Sequence, residues 1–333
     1  MKAVVVEDVG RIVVRDVPEP SAGGRALIRI ERAGLCGTDL KIVSGAIPVD
    51  HPLVIGHEMI GRVVSEGPAR SIPAGTRVLV DPGEECGRCS MCRADHGYLC
   101  STGALRGRDV DGGFAELMAV DENRLHPVPD SVGLDEAAVL QVLATCVHAQ
   151  TLVDVFPGQS AVVVGLGVAG LLHVQLLKAR GVTDVVGVTR SAWKRELALR
   201  LGAVAVATPE EAPGVVTEWT GSDGPDLVVE AAGQAATLRQ SIELAGATGT
   251  VLVFGTVPGT AELPTYQWYF KELTIVNSRA ARPRDYARAV QLAAGAQIQL
   301  SRLVTGRFPL ADAAEAFDAC RSGDHLKVML TMT

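Results

Sequence analysis

The chain changes its hydrophobic rhythm once, near residue 135. Up to about residue 130, short valine- and isoleucine-rich runs are separated by glycine, proline and aspartate: "AVVVE", "RIVVRDV", "RALIRIERA", "MIGRVVSEG", "TRVLVDP" and "FAELMAV". Runs of this length between turn residues predict the strands of a barrel or sandwich. Beyond residue 135 the apolar positions take helical spacing in "DEAAVLQVLATCVHAQTLV". Next, "GQSAVVVGLGVAGLLHVQLLKARG" reads as a buried strand, a glycine-rich turn and a helix closed by Gly181. The strands "DVVGVTR", "VAVAT", "DLVVEAAG", "TVLVFG" and "LTIVNS" follow, with helices "SAWKRELALRLGA" and "TLRQSIELAG" among them. That alternation predicts βαβ units and a parallel sheet. The tail carries two helices, "RPRDYARAVQLAAG" and "PLADAAEAFDACRSG", and closes on a β run, "HLKVMLTM", expected to pack back on the first domain.

The glycine-rich turn has a spacing of its own, Gly165-x-Gly167-x-x-Gly170, with Val168 and Ala169 between the last two glycines. Directly after a strand and at the start of a helix, Gly165 permits the turn, Gly167 lets backbone approach a pyrophosphate, and Gly170 allows close helix–strand packing. The helix N-terminus supplies unpaired N–H groups for the anion. A turn made only for packing is the bland alternative. The second strand would normally end in an acidic residue for the ribose hydroxyl. Here it ends in Thr189, Arg190 and Ser191, with Lys194 and Arg195 beyond. A guanidinium and two hydroxyls suit a 2′-phosphate, so NADP is favoured, NAD being the alternative if Arg190 is only a solvated charge.

Composition narrows the class. With 333 residues, 47% hydrophobic and 21% charged, the chain has the length of two domains and the balance of a soluble globular protein. A net charge of −7 argues against nucleic-acid or anionic-membrane partners. No apolar run approaches the ~20 residues of a membrane helix. The N-terminus enters a strand without an apolar signal region, so a cytoplasmic location is expected.

Four of the seven cysteines fall at Cys86, Cys89, Cys92 and Cys100. An odd total does not suit a full disulfide framework, and clustered cysteines in a cytosolic chain more often bind metal. Four thiolates form a closed tetrahedral Zn²⁺ shell, which is structural. Two disulfides and a nucleic-acid zinc ribbon are the competing readings, the latter disfavoured by the acidic lead-in "DPGEE". A second set, Cys36, Thr38, Asp39, His57 and Glu58, comes from "GLCGTD" and "GHE". Thiolate, imidazole and carboxylate make a plausible open Zn²⁺ site that leaves a position for substrate.

With these residues the chain resembles the zinc-dependent medium-chain alcohol dehydrogenase family of the medium-chain dehydrogenase/reductase superfamily. The match runs essentially end to end through "GLCGTDLKI", "PLVIGHEMIGRVVSEG", "GTRVLVDP", the cysteine lobe, "GGFAELMAV", "VVVGLGVAG" and "DLVVEAAG". The resemblance implies an α/β chain with a GroES-like β-rich catalytic domain from residues 1–140 and 280–333, its zinc lobe at 81–103. A Rossmann doubly wound parallel-sheet domain over 141–279 and substrate in the cleft between them are also implied. Cys36 and His57 look like catalytic zinc ligands, Glu58 like a neighbour able to coordinate, and Thr38 like the hydroxyl that meets the substrate oxygen. Gln141 falls where the family has a third ligand, and a neutral amide is a poorer donor than thiolate or carboxylate. Lys41 stands where some members carry a proton-relay histidine, and reads as a cofactor-side or solvent-side cation. Cys146 and Cys320 are expected to be buried, His148 and His173 to be core or packing residues, and His51 to lie at the surface.

The activity this implies is hydride transfer between NADP or NAD and a small alcohol, polyol or its carbonyl, in a homodimer or homotetramer formed through the Rossmann edge strand. Tyr266, Trp268, Tyr269 and Phe270 would line a pocket or a subunit interface. Two alternatives stand beside it: a zinc-free reductase of activated double bonds or quinones on the same fold, and a non-enzymatic protein that keeps fold and cofactor.

Overall fold

The computed structural model describes residues 1–221 and 223–332. The chain divides into two compact units: Met1–Ala144 with Arg282–Ala296 and Leu300–Thr333, and Thr145–Ala281 with Gln297–Gln299.

The first unit is built on a sheet whose strands run in the order Leu125–Pro127, Arg77–Val80, Glu58–Ser65, Ala26–Gly34, Lys327–Thr331 and Val304–Pro309. Leu117–Val120 pairs with the far end of Ala26–Gly34. A three-stranded sheet of Arg11–Asp16, Lys2–Asp8 and Leu53–Val54 accompanies it. Alternation along these strands buries one apolar set: Val4, Val6, Ile28, Ile30, Met59 and Val328 share a core with Phe114 and Phe317. The two phenyl rings meet edge to face at 6.4 Å. The closing strand returns as expected. Its Met329 pairs with Gly34, which also pairs with Glu58 on the other side. Residues from both ends of the chain therefore meet at Gly34, and a Cβ there would overlap the Glu58 carboxylate.

The second unit holds six parallel strands in the order Ala205–Ala207, Asp184–Val188, Ser160–Val164, Leu227–Glu230, Thr250–Val253 and Thr274–Asn277. In chain order this is 3-2-1-4-5-6, the doubly wound arrangement whose ligand site lies where the order reverses, beyond the first strand. The valine runs are continuous, not alternating, because parallel strands are covered on both faces. Val162, Val164, Val186, Val188, Val228 and Val251 are all buried within it.

Candidate active site and cofactor site

Cys36 caps a short helix, Gly37–Val43, with extended backbone. Its N–H donates to Asp39 Oδ2 at 2.8 Å, and Asp39 Oδ1 faces His57 Nδ1 at 3.4 Å. One fully buried carboxylate thus orients the backbone of one donor residue and the ring of the other. A partner on Nδ1 leaves Nε2 as the free donor of the imidazole. His57 follows Gly56, whose φ of +100° and close approach to the Phe114 ring admit no side chain. The ligand atoms of Cys36, His57 and Glu58 all lie within 4.8 Å of one another. Burial alone would favour a neutral His57, but the charges of Asp39 and Cys36 outweigh it and raise the imidazole pKa well above its usual value. A proton supplies there the positive charge that a metal would supply. The donor set therefore fits a dication.

Glu58 has a partner that the motif does not announce. Lys327 Nζ donates to its two carboxylate oxygens at 2.8 and 2.5 Å and to the Leu35 carbonyl at 3.0 Å. Both side chains are almost wholly buried. Burial would lower the ammonium pKa, and the Glu58 carboxylate together with the charge of Cys36 more than reverses that. The sequence carried one sign of this pair: a single lysine inside the otherwise apolar run "KVMLTM". Thr38, half-buried on the helix after Cys36, makes no side-chain hydrogen bond among the described residues, so its hydroxyl is available to a ligand.

Gln141 is buried, and its amide hydrogen-bonds the hydroxyl of Tyr286, which also meets Asp81. Asp81 pairs with Arg124 at 2.9 Å, and Arg124 with Glu85 at 3.0 Å, the residue before Cys86. Tyr286 stacks on His126 with centroids 5.0 Å apart. A buried polar chain thus joins position 141 to the cysteine lobe, and sequence reasoning found none of its links beyond Gln141. Cys146 is fully buried as expected, with Ala169 O 3.8 Å from its sulfur. Cys320, expected to be buried, is only half so. It follows Ala316 and Phe317 in the last turn of helix Ala313–Ser322, where the buried stripe ends. His148 and His173 are fully buried; His51 is half-buried, its Nδ1 3.3 Å from Val6 O, and Lys41 is exposed.

In the cysteine lobe, neighbouring sulfurs are 3.4 Å (Cys89 to Cys92), 3.9 Å (Cys86 to Cys92) and 3.9 Å (Cys89 to Cys100) apart, and all four thiols are free. Tetrahedral zinc with Zn–S bonds of ~2.3 Å sets its sulfurs about 3.8 Å apart. Backbone N–H groups of Arg88 and Cys89 lower Cys86 to about 6, while desolvation and the neighbouring Cys89 push Cys92 up to about 12. Thiols so unequal become four equivalent thiolates only around a cation. The lobe fits zinc.

At the cofactor motif, Gly165 has φ +95°, and a Cβ on it would strike Ala232. A Cβ on Gly170 would overlap the Gly165 carbonyl, whereas one on Gly167 would meet nothing within 4 Å. Gly167 is the N-cap of the helix Val168–Ala179, whose first-turn N–H groups have no partner within the helix. After strand Asp184–Val188, Arg195 braces the loop by donating to the carbonyls of Thr189 and Arg190 at 2.8 and 2.9 Å. The Arg190 guanidinium is exposed and has no ion pair among the described residues. Lys194 lies over the Trp193 ring at 5.2 Å, and Ser191 caps the helix Ala192–Leu201.

A doubly wound dinucleotide unit, an open thiolate–imidazole–carboxylate set and a closed four-thiolate lobe define a zinc-dependent, nicotinamide-linked oxidoreductase. Comparison with known proteins agrees. Residues 22–130 match the model of the alcohol dehydrogenase GroES-like domain, and residues 168–295 that of the zinc-binding dehydrogenases. The chain is 30% identical to a sorbitol dehydrogenase of Halalkalibacterium halodurans, over 99% of each protein. A protein of Sinorhizobium meliloti 1021 assigned as a zinc-binding dehydrogenase, solved bound to NADP, is 36% identical with a TM-score of 0.92, covering 99% of this chain and 98% of that one. An alcohol dehydrogenase from Thermus sp. ATN1 gives a TM-score of 0.93 at 29% identity, over 99% of both chains. The chain belongs to the zinc-dependent medium-chain alcohol dehydrogenase family. Its cofactors are zinc and a nicotinamide dinucleotide, and it interconverts a small alcohol and its carbonyl.

Proposed function

We propose that the chain is an NADP-preferring polyol dehydrogenase, with Cys36, His57 and Glu58 as the protein donors of a catalytic zinc and Gln141 left to Tyr286. The Cys36–Asp39–His57 arrangement carries this reading. The likeness to a sorbitol dehydrogenase supports the polyol class. Bound zinc supplies Lewis acidity that acidifies an alcohol or polarises a carbonyl, and the nicotinamide supplies the hydride acceptor or donor. The chain's own residues do the rest. Asp39 holds the His57 ring and its tautomer, Lys327 holds Glu58, and the Thr38 hydroxyl takes the substrate's proton toward solvent. Initial rates on a panel including sorbitol and xylitol, with each cofactor, test the class; turnover confined to simple primary alcohols would sink the polyol assignment.

The cofactor preference rests on the unpaired Arg190 and on the absence of a carboxylate from Thr189–Ser191. Arg190→Ala should raise KM for NADP at least tenfold, the value of one charge-assisted phosphate contact, and leave KM for NAD within about twofold. An equal change for both cofactors would show that Arg190 does not touch the 2′ position.

The subunit assembly in this reading is homo-oligomeric. Tyr266, Tyr269 and Phe270 are 74%, 77% and 63% exposed on the helix Thr265–Phe270, beside the edge strand Thr274–Asn277. Exposed aromatics beside an unpaired edge are a surface that association covers. A Tyr269→Arg, Phe270→Asp double substitution should reduce the mass by light scattering to that of one chain. A wild-type protein that is already monomeric at micromolar concentration would remove this part of the reading.

A further inference from the structure

The first unit contains a cavity of about 570 Å³ whose lining includes neither a member of the Cys36–His57–Glu58 set nor a cysteine of the lobe. Val5, Val17, Val54, Leu117 and Met118 give it apolar walls. Three arginines, Arg15, Arg25 and Arg106, belong to the same lining. Arg106 is only 6% exposed, and its Nε finds no hydrogen-bond partner. Burial pulls its pKa below the usual guanidinium range; Glu84 opposes that, and the nearby charge of Arg25 adds to it.

Two of the three arginines are paired and the third is not. Arg106 pairs with Glu84, and Arg15 with Glu7 at 3.3 Å. Arg25 is half-buried and has no ion pair among the described residues. The two carboxylates in the lining, Glu19 and Asp111, are exposed, and Asp111 Oδ1 accepts the Val54 N–H at 2.9 Å. A half-buried cation without an ion pair, Arg25, therefore shares the lining with a buried guanidinium whose Nε has no hydrogen-bond partner. A volume of this size falls within the range of small-molecule sites.

We propose that this cavity binds a small organic carboxylate with an apolar body, its charged end on Arg25 and Arg106 and its hydrocarbon against Val17, Val54, Leu117 and Met118. The unpaired Arg25, with the free Nε of Arg106 in the same lining, favours a singly charged acceptor group. The apolar walls select a hydrocarbon tail, which removes from water surface that a bare inorganic anion would leave wet. This site is separate from the reaction centre and does not depend on the polyol assignment.

The test is calorimetric titration of the full-length, zinc-loaded chain with hexanoate, hexanamide and acetate, on wild type and Arg25→Ala. Arg25 holds no partner in the fold, so its removal should leave the structure and alcohol turnover unchanged. Expected are saturable one-to-one binding of hexanoate, at least tenfold weaker binding of hexanamide and of acetate, and at least tenfold weaker hexanoate binding to Arg25→Ala. The proposal is overturned by no saturable hexanoate binding, by hexanamide binding as tightly as hexanoate, or by unchanged hexanoate affinity in Arg25→Ala. Acetate binding as tightly as hexanoate would also overturn it, since the walls would then play no part.

Discussion

Cys36→Ser should take the zinc content from two per chain to one and lower kcat/KM for the alcohol about a thousandfold. The thiolate is the softest of the three donors and contributes a full charge, while a serine hydroxyl is neutral and a poor zinc ligand. What remains is His57 and a Glu58 whose two oxygens are already held by Lys327. Such a pair should not retain the metal through dialysis. The lost rate corresponds to roughly 4 kcal/mol of transition-state stabilisation, in the range expected for removing a Lewis acid. Elemental analysis beside steady-state kinetics gives the result directly. Two zincs in the variant would place the second metal away from Cys36. One zinc in both wild type and variant would leave only the lobe occupied, and the zinc-free reductase of activated double bonds or quinones would then replace the alcohol chemistry.

What the sequence disclosed and what it hid divide by distance along the chain. Gly165, Gly167 and Gly170 do their work within six residues, so spacing and the flanking strand and helix pattern suffice to read them. The four cysteines lie within fifteen residues, and their sulfurs converge because a short loop leaves little alternative. Cys36 and His57 lie just outside strands Ala26–Gly34 and Glu58–Ser65, and a lone cysteine and a lone histidine carry little signal of meeting. Only the company of the cysteine lobe and the dinucleotide motif made them a candidate zinc set, and the family resemblance gave them roles. Lys327 and Glu58 are 269 residues apart and meet only because the last strand inserts beside Gly34. Tyr286 reaches Gln141 from a helix that begins after the whole dinucleotide unit has been threaded. The cavity of Arg25 and Arg106 is equally silent in sequence: each arginine alone reads as a surface charge, and only the fold shows one of them buried.

The second large effect should come from Lys327→Met, which removes the ammonium at nearly constant volume. Glu58 is then a buried carboxylate without its cation. Breaking one half of a buried pair costs about 3–5 kcal/mol, because desolvation of the remaining charge is no longer offset. Thermal unfolding of Lys327→Met, Glu58→Gln and the double variant decides the matter. The double variant, with no buried charge left, should regain most of the loss, giving a coupling energy well above the few tenths expected of non-interacting sites. A single variant within about 0.5 kcal/mol of wild type, or a double no better than the single, would refute the pairing as a determinant of stability. The metal adds a second reading of the same experiment. If Glu58 can reach the zinc once Lys327 is gone, the dication replaces the ammonium, and the loss should be smaller in zinc-loaded than in chelator-treated protein. An equal loss in both states would mean that Glu58 belongs to Lys327 alone, leaving Cys36 and His57 as the only charged or imidazole donors of the site.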